Sequence, residues 1–372
     1  MKVWILAGRF KAGGLEQVLS TLAAFLTDQG IDTTLVARAF DQSPPQPGLR
    51  PYATRTLPGS SLVGFVAALA KTIRLDRPTH IITSANDIAC LTVLLRLLFL
   101  RRSRVIVTQH LTVSPEVSRA SGMRKLKLKL IRHAMRALYP RADRVIAVSD
   151  GVAEDLAQQL NLPRAAIATI YNPVVDAQMA RRIEAPLPTG FPWASRTAPL
   201  VAFAGRLEPV KRVDLLLEAF AQVHSQTGAR LLILGEGSLL DELKRHAARL
   251  QVTEDVLFFG HAPNILPLLK SSDVLVLPSD YEGFGNVLVE AMACGTQVIA
   301  TDCPSGPAEI LEHGRYGQLI PTNSAPALIE ALSKTLGKEF EVPADTLRWR
   351  AGHFSVERAG KAYLEILRET QS

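Results

Sequence analysis

Two glutamates with seven residues between them, Glu282 and Glu290, enclose Gly283, Phe284, Gly285, Asn286 and Val287. The stretch follows an apolar run, 274–277, that Pro278 and Ser279 close, and it passes into a helical pattern with Val287, Leu288, Ala291 and Met292 on one face. Strand, glycine-bearing loop and helix start form the place where open α/β sheets take ligands, outside the carboxyl ends of the strands. The glycines let backbone approach a ligand, and the N–H groups of a helix start favour phosphate or hydroxyl oxygens. The chemistry implied is that of a nucleotide donor site.

A second group sits at another strand end. The run 200–204 leads into Gly205, Arg206 and, five residues on at a helix entrance, Lys211. Two fixed cations there can hold a diphosphate and neutralise the charge that grows on it as it leaves. A solvated basic loop is the plainer alternative. His110 follows the apolar strand 105–109, where a sheet meets its ligand, and it could serve structure as well as function. Gly13-Gly14-Leu15-Glu16 supplies another glycine-to-helix turn. It is no G-x-G-x-x-G fingerprint, and Val36-Ala37-Arg38 stands where an acidic residue would be needed, which disfavours a dinucleotide. Asp-x-Asp, Gly-x-Ser-x-Gly and the P-loop pattern are all absent from the sequence, so a carboxylate-held metal has no obvious seat, and hydrolase and P-loop readings are disfavoured. Metal ligands and cofactors are expected to be none.

The elements that must position these groups alternate. Strands read at 3–7, 33–37, 80–83, 105–109, 145–148 and 167–171, with helices at 15–28, 62–75, 88–100 and 150–160 and loops at 8–14 and 41–51. After a proline- and glycine-rich interval the pattern restarts with strands 200–204, 230–234, 256–259, 274–277 and 297–301 and helices 212–226, 239–250, 264–271, 286–294 and one from about Pro307. An amphipathic helix from His353 turns Ala362, Tyr363, Ile366 and Leu367 inward. Such βα alternation predicts an α/β fold with doubly wound parallel sheets, and 372 residues exceed one ordinary core. The expected domains are 1–185, completed by 353–372, then a linker at 186–199 and a second domain at 200–352, with a ligand cleft between them.

Charge separates the halves. Residues 1–150 hold 22 Lys+Arg against 9 Asp+Glu, net +13, and the remainder 20 against 26, net −6. Nine of those cations lie between Arg119 and Arg144, against the single acid Asp143. Arg124, Lys125, Lys127, Lys129, Arg132 and Arg136 fall on a helical pattern whose apolar side reads Met123, Leu126, Leu130, Ile131, Ala134 and Leu138. A basic amphipathic helix points to an anionic membrane surface; a core helix with a solvated basic face is the alternative. Nucleic acid is disfavoured, because no aromatics interleave the cations. Cys90, Cys294 and Cys303 have no metal or disulfide spacing and fit a reducing compartment. The run 88–100, interrupted by Arg96, is too short to span a bilayer, and the expected location is cytoplasmic, at the inner face of the cell membrane.

Taken together, the motifs resemble family 4 retaining glycosyltransferases of the GT-B fold, over almost the full length. The resemblance rests on Glu282 and Glu290 within Glu-Gly-Phe-Gly-Asn-Val-Leu-Val-Glu-Ala-Met-Ala-Cys-Gly, on Gly205-Arg206-Leu207 with Lys211, on Gly13-Gly14-Leu15-Glu16 and on Gln109-His110. Ala147-Val148-Ser149 and Tyr171-Asn172-Pro173 also stand where the family has equivalents. It implies two facing Rossmann-like domains and a nucleotide-sugar co-substrate. Glu282 is then expected on hydroxyls of the donor sugar, Glu290 on the ribose, and the N–H groups around Phe284, Gly285, Asn286 and Val287 on sugar and diphosphate. Arg206 and Lys211 are expected to hold the diphosphate, Gly13 and Gly14 to approach it from the other domain, and His110 to orient the sugar. The family's front-face substitution, in which the leaving phosphate oxygen takes the acceptor's proton, suits a sequence with no evident enzyme nucleophile. Leu15 and Gln17 depart from the family's frequent Ala and Arg, and Gly285 from a frequent Pro. The run 301–307 resembles members that build bacterial surface polysaccharides from UDP-sugars. The expected partners are therefore a nucleotide-sugar, a glycan or glycolipid acceptor and an anionic membrane. A non-catalytic nucleotide- or lipid-binding module and a sugar-nucleotide epimerase are the alternatives.

Overall fold

Successive side chains of a strand point to opposite faces, so Val3, Trp4, Ile5 and Leu6 cannot share one side. All four are buried. The strand they form, β1 (Lys2–Phe10), is covered on both faces, as the strands of a parallel sheet are. The structure, a computed structural model, describes every residue except 11–12, 42, 45–47, 58–61, 100–101, 115–121, 196 and 372, with the side chains at 62 and 63 also undescribed. Arg119 and parts of the expected loops 8–14 and 41–51 therefore lie outside the described residues.

The chain divides into two units, 1–173 with 356–372, and 174–355. In the first unit β1 is followed by α1 (Gly14–Asp28), β2 (Asp32–Phe40), β3 (Ala53–Thr56), α2 (Leu62–Asp76), β4 (His80–Thr83) and α3 (Asn86–Phe99). Then come β5 (Arg104–Gln109), α4 (Gly122–Leu138), β6 (Arg144–Ala147), α5 (Asp150–Leu160) and β7 (Ile167–Thr169). Its seven strands are parallel and run in the order β3-β2-β1-β4-β5-β6-β7.

The second unit begins with α6 (Met179–Ile183), β8 (Leu200–Ala204), α7 (Val213–Thr227), β9 (Arg230–Leu234), α8 (Leu240–Arg249), β10 (Val256–Gly260) and α9 (Leu266–Lys270). It continues with β11 (Val274–Leu277), α10 (Asn286–Cys294), β12 (Gln297–Thr301), α11 (Pro307–Ile310), β13 (Gln318–Ile320), α12 (Ala325–Leu336) and α13 (Ala344–Ala351). Six parallel strands run β10-β9-β8-β11-β12-β13. Each sheet carries the Rossmann order, reversing direction beside its first strand. Helix α14 (Val356–Glu369) belongs to the first unit and buries Tyr363, Leu364 and Leu367; at Gly360 a Cβ would stand 2.3 Å from the Phe25 ring of α1.

Three differences from the sequence reading have physical reasons. The division falls after Pro173, and 174–199, read as a domain end and linker, belongs to the second unit. Met179, Phe191 and Trp193 are buried, Phe191 meets Phe259 at 6.3 Å between ring centroids, and Asn264 donates to the Arg182 carbonyl at 2.8 Å. Proline and glycine suppress regular structure there without keeping the aromatics out of a core. Strand β1 runs to Phe10 rather than ending at Ala7, because backbone pairing with β2 continues through Arg9 and Phe10. The short elements β3, α6 and β13, and the helices α12 and α13, have no counterpart in that reading.

Helix α4 is the third. Ile131, Ala134 and Leu138 are half-buried as expected, but Met123, Leu126 and Leu130 are 80%, 51% and 63% exposed. The inward stripe is Leu128, Ile131, Met135 and Leu138. Leu126 and Leu130 each stand two residues from Leu128, about 200° round the helix, so they cannot share its face. The exposed side of α4 thus mixes leucines with Arg124, Lys127 and Lys129. Among the described residues no helix is long and apolar enough to cross a membrane.

Candidate functional site

In the second sheet the order reverses between β8 and β11, and the loops that leave the carboxyl ends of these two strands carry the candidate residues. Such a reversal opens a crevice, because the flanking connections depart to opposite faces. The β8 loop brings Gly205, Arg206 and Lys211; the β11 loop brings Glu282 and then the start of α10. Lys211 Nζ donates to Glu282 Oε1, with the two side chains only 17% and 10% exposed. Ser279 Oγ donates to the same carboxylate oxygen at 2.6 Å, and Thr301 Oγ1 donates to the Ser279 carbonyl. The Asp280 amide donates to the Val210 carbonyl at 2.9 Å, tying the two loops together through backbone. Lys211 and Glu282, 71 positions apart in the chain, are therefore held in contact.

Arg206 is exposed, and among the described residues its side chain makes no hydrogen bond or ion pair, so its five donors are available to an anion. Phe284 points inward, its ring edge-on to Phe354 at 5.4 Å, which leaves its backbone as the part offered to a ligand. Gly285 caps α10 at φ 100°, a left-handed conformation that glycine adopts without strain. Asn286 and Val287 begin the helix, and helix starts attract anions. Glu290, one turn further along α10, is half-buried. Burial pushes its carboxyl up to about 7, against an opposing pull from Arg182. At neutral pH it can be a proton donor as well as an acceptor toward hydroxyl groups.

The remaining sequence-predicted residues lie in the first unit. His110 follows β5, half-buried, with Nε2 3.0 Å from Thr108 Oγ1. Burial lowers it to about 4, so the imidazole is neutral at neutral pH and poorly matched to general-base work there. The loop beyond it is anchored by Asp155 of α5, which accepts from the Val113 amide at 2.5 Å. Gly13 precedes α1, and its carbonyl accepts from the Gln17 amide at 3.1 Å. Arg124, Lys125, Lys127, Lys129, Arg132 and Arg136 all lie on α4; Arg132 donates to Gln159 at 3.1 Å.

Several supports escape the sequence reading. At Gly306 a Cβ would stand 2.0 Å from the Phe284 carbonyl oxygen, and at Gly235 the same distance from that of Gly205. Both candidate loops thus rest on neighbours that only glycine permits. The Glu282 amide donates to the Pro304 carbonyl at 3.2 Å, and the Leu207 amide to Glu236 at 2.9 Å. Pro304-Ser305-Gly306-Pro307 and Gly235-Glu236-Gly237-Ser238 are recognisable as turns, but nothing in their order says which loop they underlie. Ser279 carries no motif at all.

Residues 192–347 match the family model described as glycosyl transferases group 1, and residues 12–178 match that described as glycosyltransferase family 4. The chain is 26% identical over 316 residues to the amylovoran biosynthesis glycosyltransferase AmsD of Erwinia amylovora, covering 84% of each. It is 29% identical over 199 residues, 54% of this chain and 52% of the other, to the N-acetylgalactosamine-N,N'-diacetylbacillosaminyl-diphospho-undecaprenol 4-alpha-N-acetylgalactosaminyltransferase of Campylobacter jejuni. The chain spans about half the length or less of the first curated relatives it matches. The crystal structure of HepE from Anabaena in complex with UDP-glucose superimposes with a TM-score of 0.80 at 20% identity, over 99% of this chain and 100% of that one. At that identity the likeness is one of fold.

Proposed function

This chain belongs to the family 4 glycosyltransferases of the GT-B fold, and on that premise we propose that it moves a hexose or N-acetylhexosamine, with retention, from a UDP-sugar to a lipid-linked or surface-polysaccharide acceptor. The observation that carries the proposal is the Lys211–Glu282 pair at the strand-order reversal of the second unit, with Arg206 on the same loop and without a side-chain partner among the described residues. Lys211 and Arg206 neutralise the departing diphosphate, the step at which charge grows most. Glu282, held in place by Lys211 and Ser279, accepts from donor-sugar hydroxyls. Glu290 meets the ribose, and the backbone from Phe284 to Val287 meets the sugar and diphosphate. His110, neutral, orients the sugar, while the leaving phosphate oxygen takes the acceptor's proton. No metal enters this scheme.

UDP is preferred because the structural neighbour HepE carries UDP-glucose. Polysaccharide and lipid-linked acceptors are supported by the names of the Erwinia and Campylobacter relatives. Helix α4 fits an anionic bilayer at the inner face of the cell membrane: Met123, Leu126 and Leu130 are exposed among six cations with no acidic residue on the helix. Such a stripe buries apolar side chains in the interface while the cations meet headgroups.

The test is incubation of the protein with UDP- and GDP-sugars and membrane lipids, with and without EDTA. Release of UDP, a product of retained anomeric configuration by NMR and indifference to EDTA are expected. No nucleotide release from any donor rejects the function, and EDTA-sensitive release rejects the metal-free scheme.

A further inference from the structure

The first residue after Lys211 has an unusual backbone. Arg212 sits at φ 50°, ψ 41° between a short 3-10 turn and α7. A non-glycine residue stays in the left-handed region only where its surroundings over-determine it. Here they do. Its guanidinium is 20% exposed and reaches loops from three strands. Nε and Nη2 donate to Asp214 at 3.0–3.2 Å, and Nη1 donates to Asn323 beyond β13 at 2.6 Å. The same Nη1 stands 3.5 Å from Asp280 Oδ1, on a carboxylate 11% exposed.

Asp280 occupies a telling place. It directly follows Ser279, which donates to Glu282, and its own amide donates to the carbonyl of Val210, next to Lys211. Among the described residues the Arg212 guanidinium makes no hydrogen bond or ion pair with Lys211 or Glu282, yet it reaches both loops that present them. Lysine could replace it only in part, because a single ammonium lacks the planar fork that serves three partners in different directions.

We infer that Arg212 is a positioning residue that sets the separation and aim of Lys211 and Glu282 by clamping the β8, β11 and β13 loops. The inference rests on the function proposed above. It goes further by assigning a role to a side chain outside the ligand contacts. A misplacement of about 1 Å in such a pair is enough to slow the chemistry about a hundred-fold.

The test is steady-state turnover of UDP-sugar by wild type, Arg212→Gly, Arg212→Lys and Asp280→Asn, each alone and combined with Lys211→Ala. Glycine suits φ 50°, so Arg212→Gly keeps the backbone while removing the clamp, and circular dichroism checks its fold. The expected result is a kcat reduced about ten- to a hundred-fold, a smaller change in donor KM, and partial rescue by lysine. On the Lys211→Ala background the same substitution should add less than about two-fold, because residues acting through one another are non-additive. Should Arg212→Gly fail to fold, Asp280→Asn, which keeps shape and loses the ion pair, carries the same expectation. Unchanged kcat, or a loss that multiplies that of Lys211→Ala, overturns the inference while leaving the proposed function standing. A wild-type protein that turns over no donor removes both.

Discussion

The carboxyl ends of β1 and β4 in the first unit and of β8 and β11 in the second occupy the same place in the same strand order, yet they hold different chemistry. In the first, the nearby charged pair is Arg9–Asp41, whose side chains are 65% and 33% exposed, and the titratable group at the neighbouring strand end is a neutral His110. In the second, Lys211 and Glu282 pair at 17% and 10% exposure with a serine donor beside them. Water screens the first pair, and such pairs contribute about 0–1 kcal/mol. The second pair acts in a drier site, where fixed charges bear more strongly on a bound anion. The sheet order supplies a place for ligands; the loops decide whether charge is organised there.

The comparison can be broken at each of its points. Lys211→Ala should lower kcat about 10²–10³-fold, the loss of about 2.7–4 kcal/mol typical of one electrostatic donor; an unchanged rate in a UDP-release assay removes the second unit's distinction. Opposite pH slopes come next. Glu290 is raised from 4.5 to about 7, so the folded state holds its proton through that window and stability falls as pH rises through it. His110 is lowered from 6.5 to about 4, so the unfolded state holds more protons and stability is lost as pH falls through that window. Each shift corresponds to at most about 3 kcal/mol. Chemical denaturation of Glu290→Gln between pH 4.5 and 7 should therefore remove a downward slope, and His110→Asn an upward one between 4 and 6.5; slopes identical to wild type contradict the assignment.

His110→Ala should reduce kcat about ten-fold, the loss of one hydrogen bond's worth of orientation, with no new pH optimum. A thousand-fold loss would make the first unit's site the chemical one. Arg9→Ala should leave turnover unchanged and shift stability by no more than about 1 kcal/mol, as read by thermal melting. A larger loss would show that the exposed pair is not equivalent to solvent.

Much of this was legible in residues alone. The strands 80–83, 200–204, 230–234, 274–277 and 297–301 were readable to the residue, since short, mainly apolar runs between turn formers have few other uses. Glu282, Glu290, Arg206 and Lys211 stood out as candidates because they fall in the loops, or at the helix starts, that follow such strands. What escaped were groups that earn their place by a neighbour far away in the chain. Ser279, Arg212 and Gly306 have ordinary local contexts, and Gly306 matters only because the Phe284 carbonyl lies 2.0 Å from where its Cβ would be. Helix α4 shows the same limit in reverse. Its apolar residues cover more of the circumference than one neighbour can bury, and periodicity could not say that Leu128 faces in while Leu126 and Leu130 face out.

By itself, then, the sequence determined the alternation of strands and helices, the two parallel sheets and the types of side chain at the strand ends, because these follow from local patterns of 2.0 and 3.6 residues. Tertiary structure alone decided that Lys211 meets Glu282, that 174–199 joins the second unit, that Arg212 grips three loops and that burial raises Glu290 and lowers His110. Each of those depends on what water is excluded and which distant group arrives in its place, and no window along the chain contains that information.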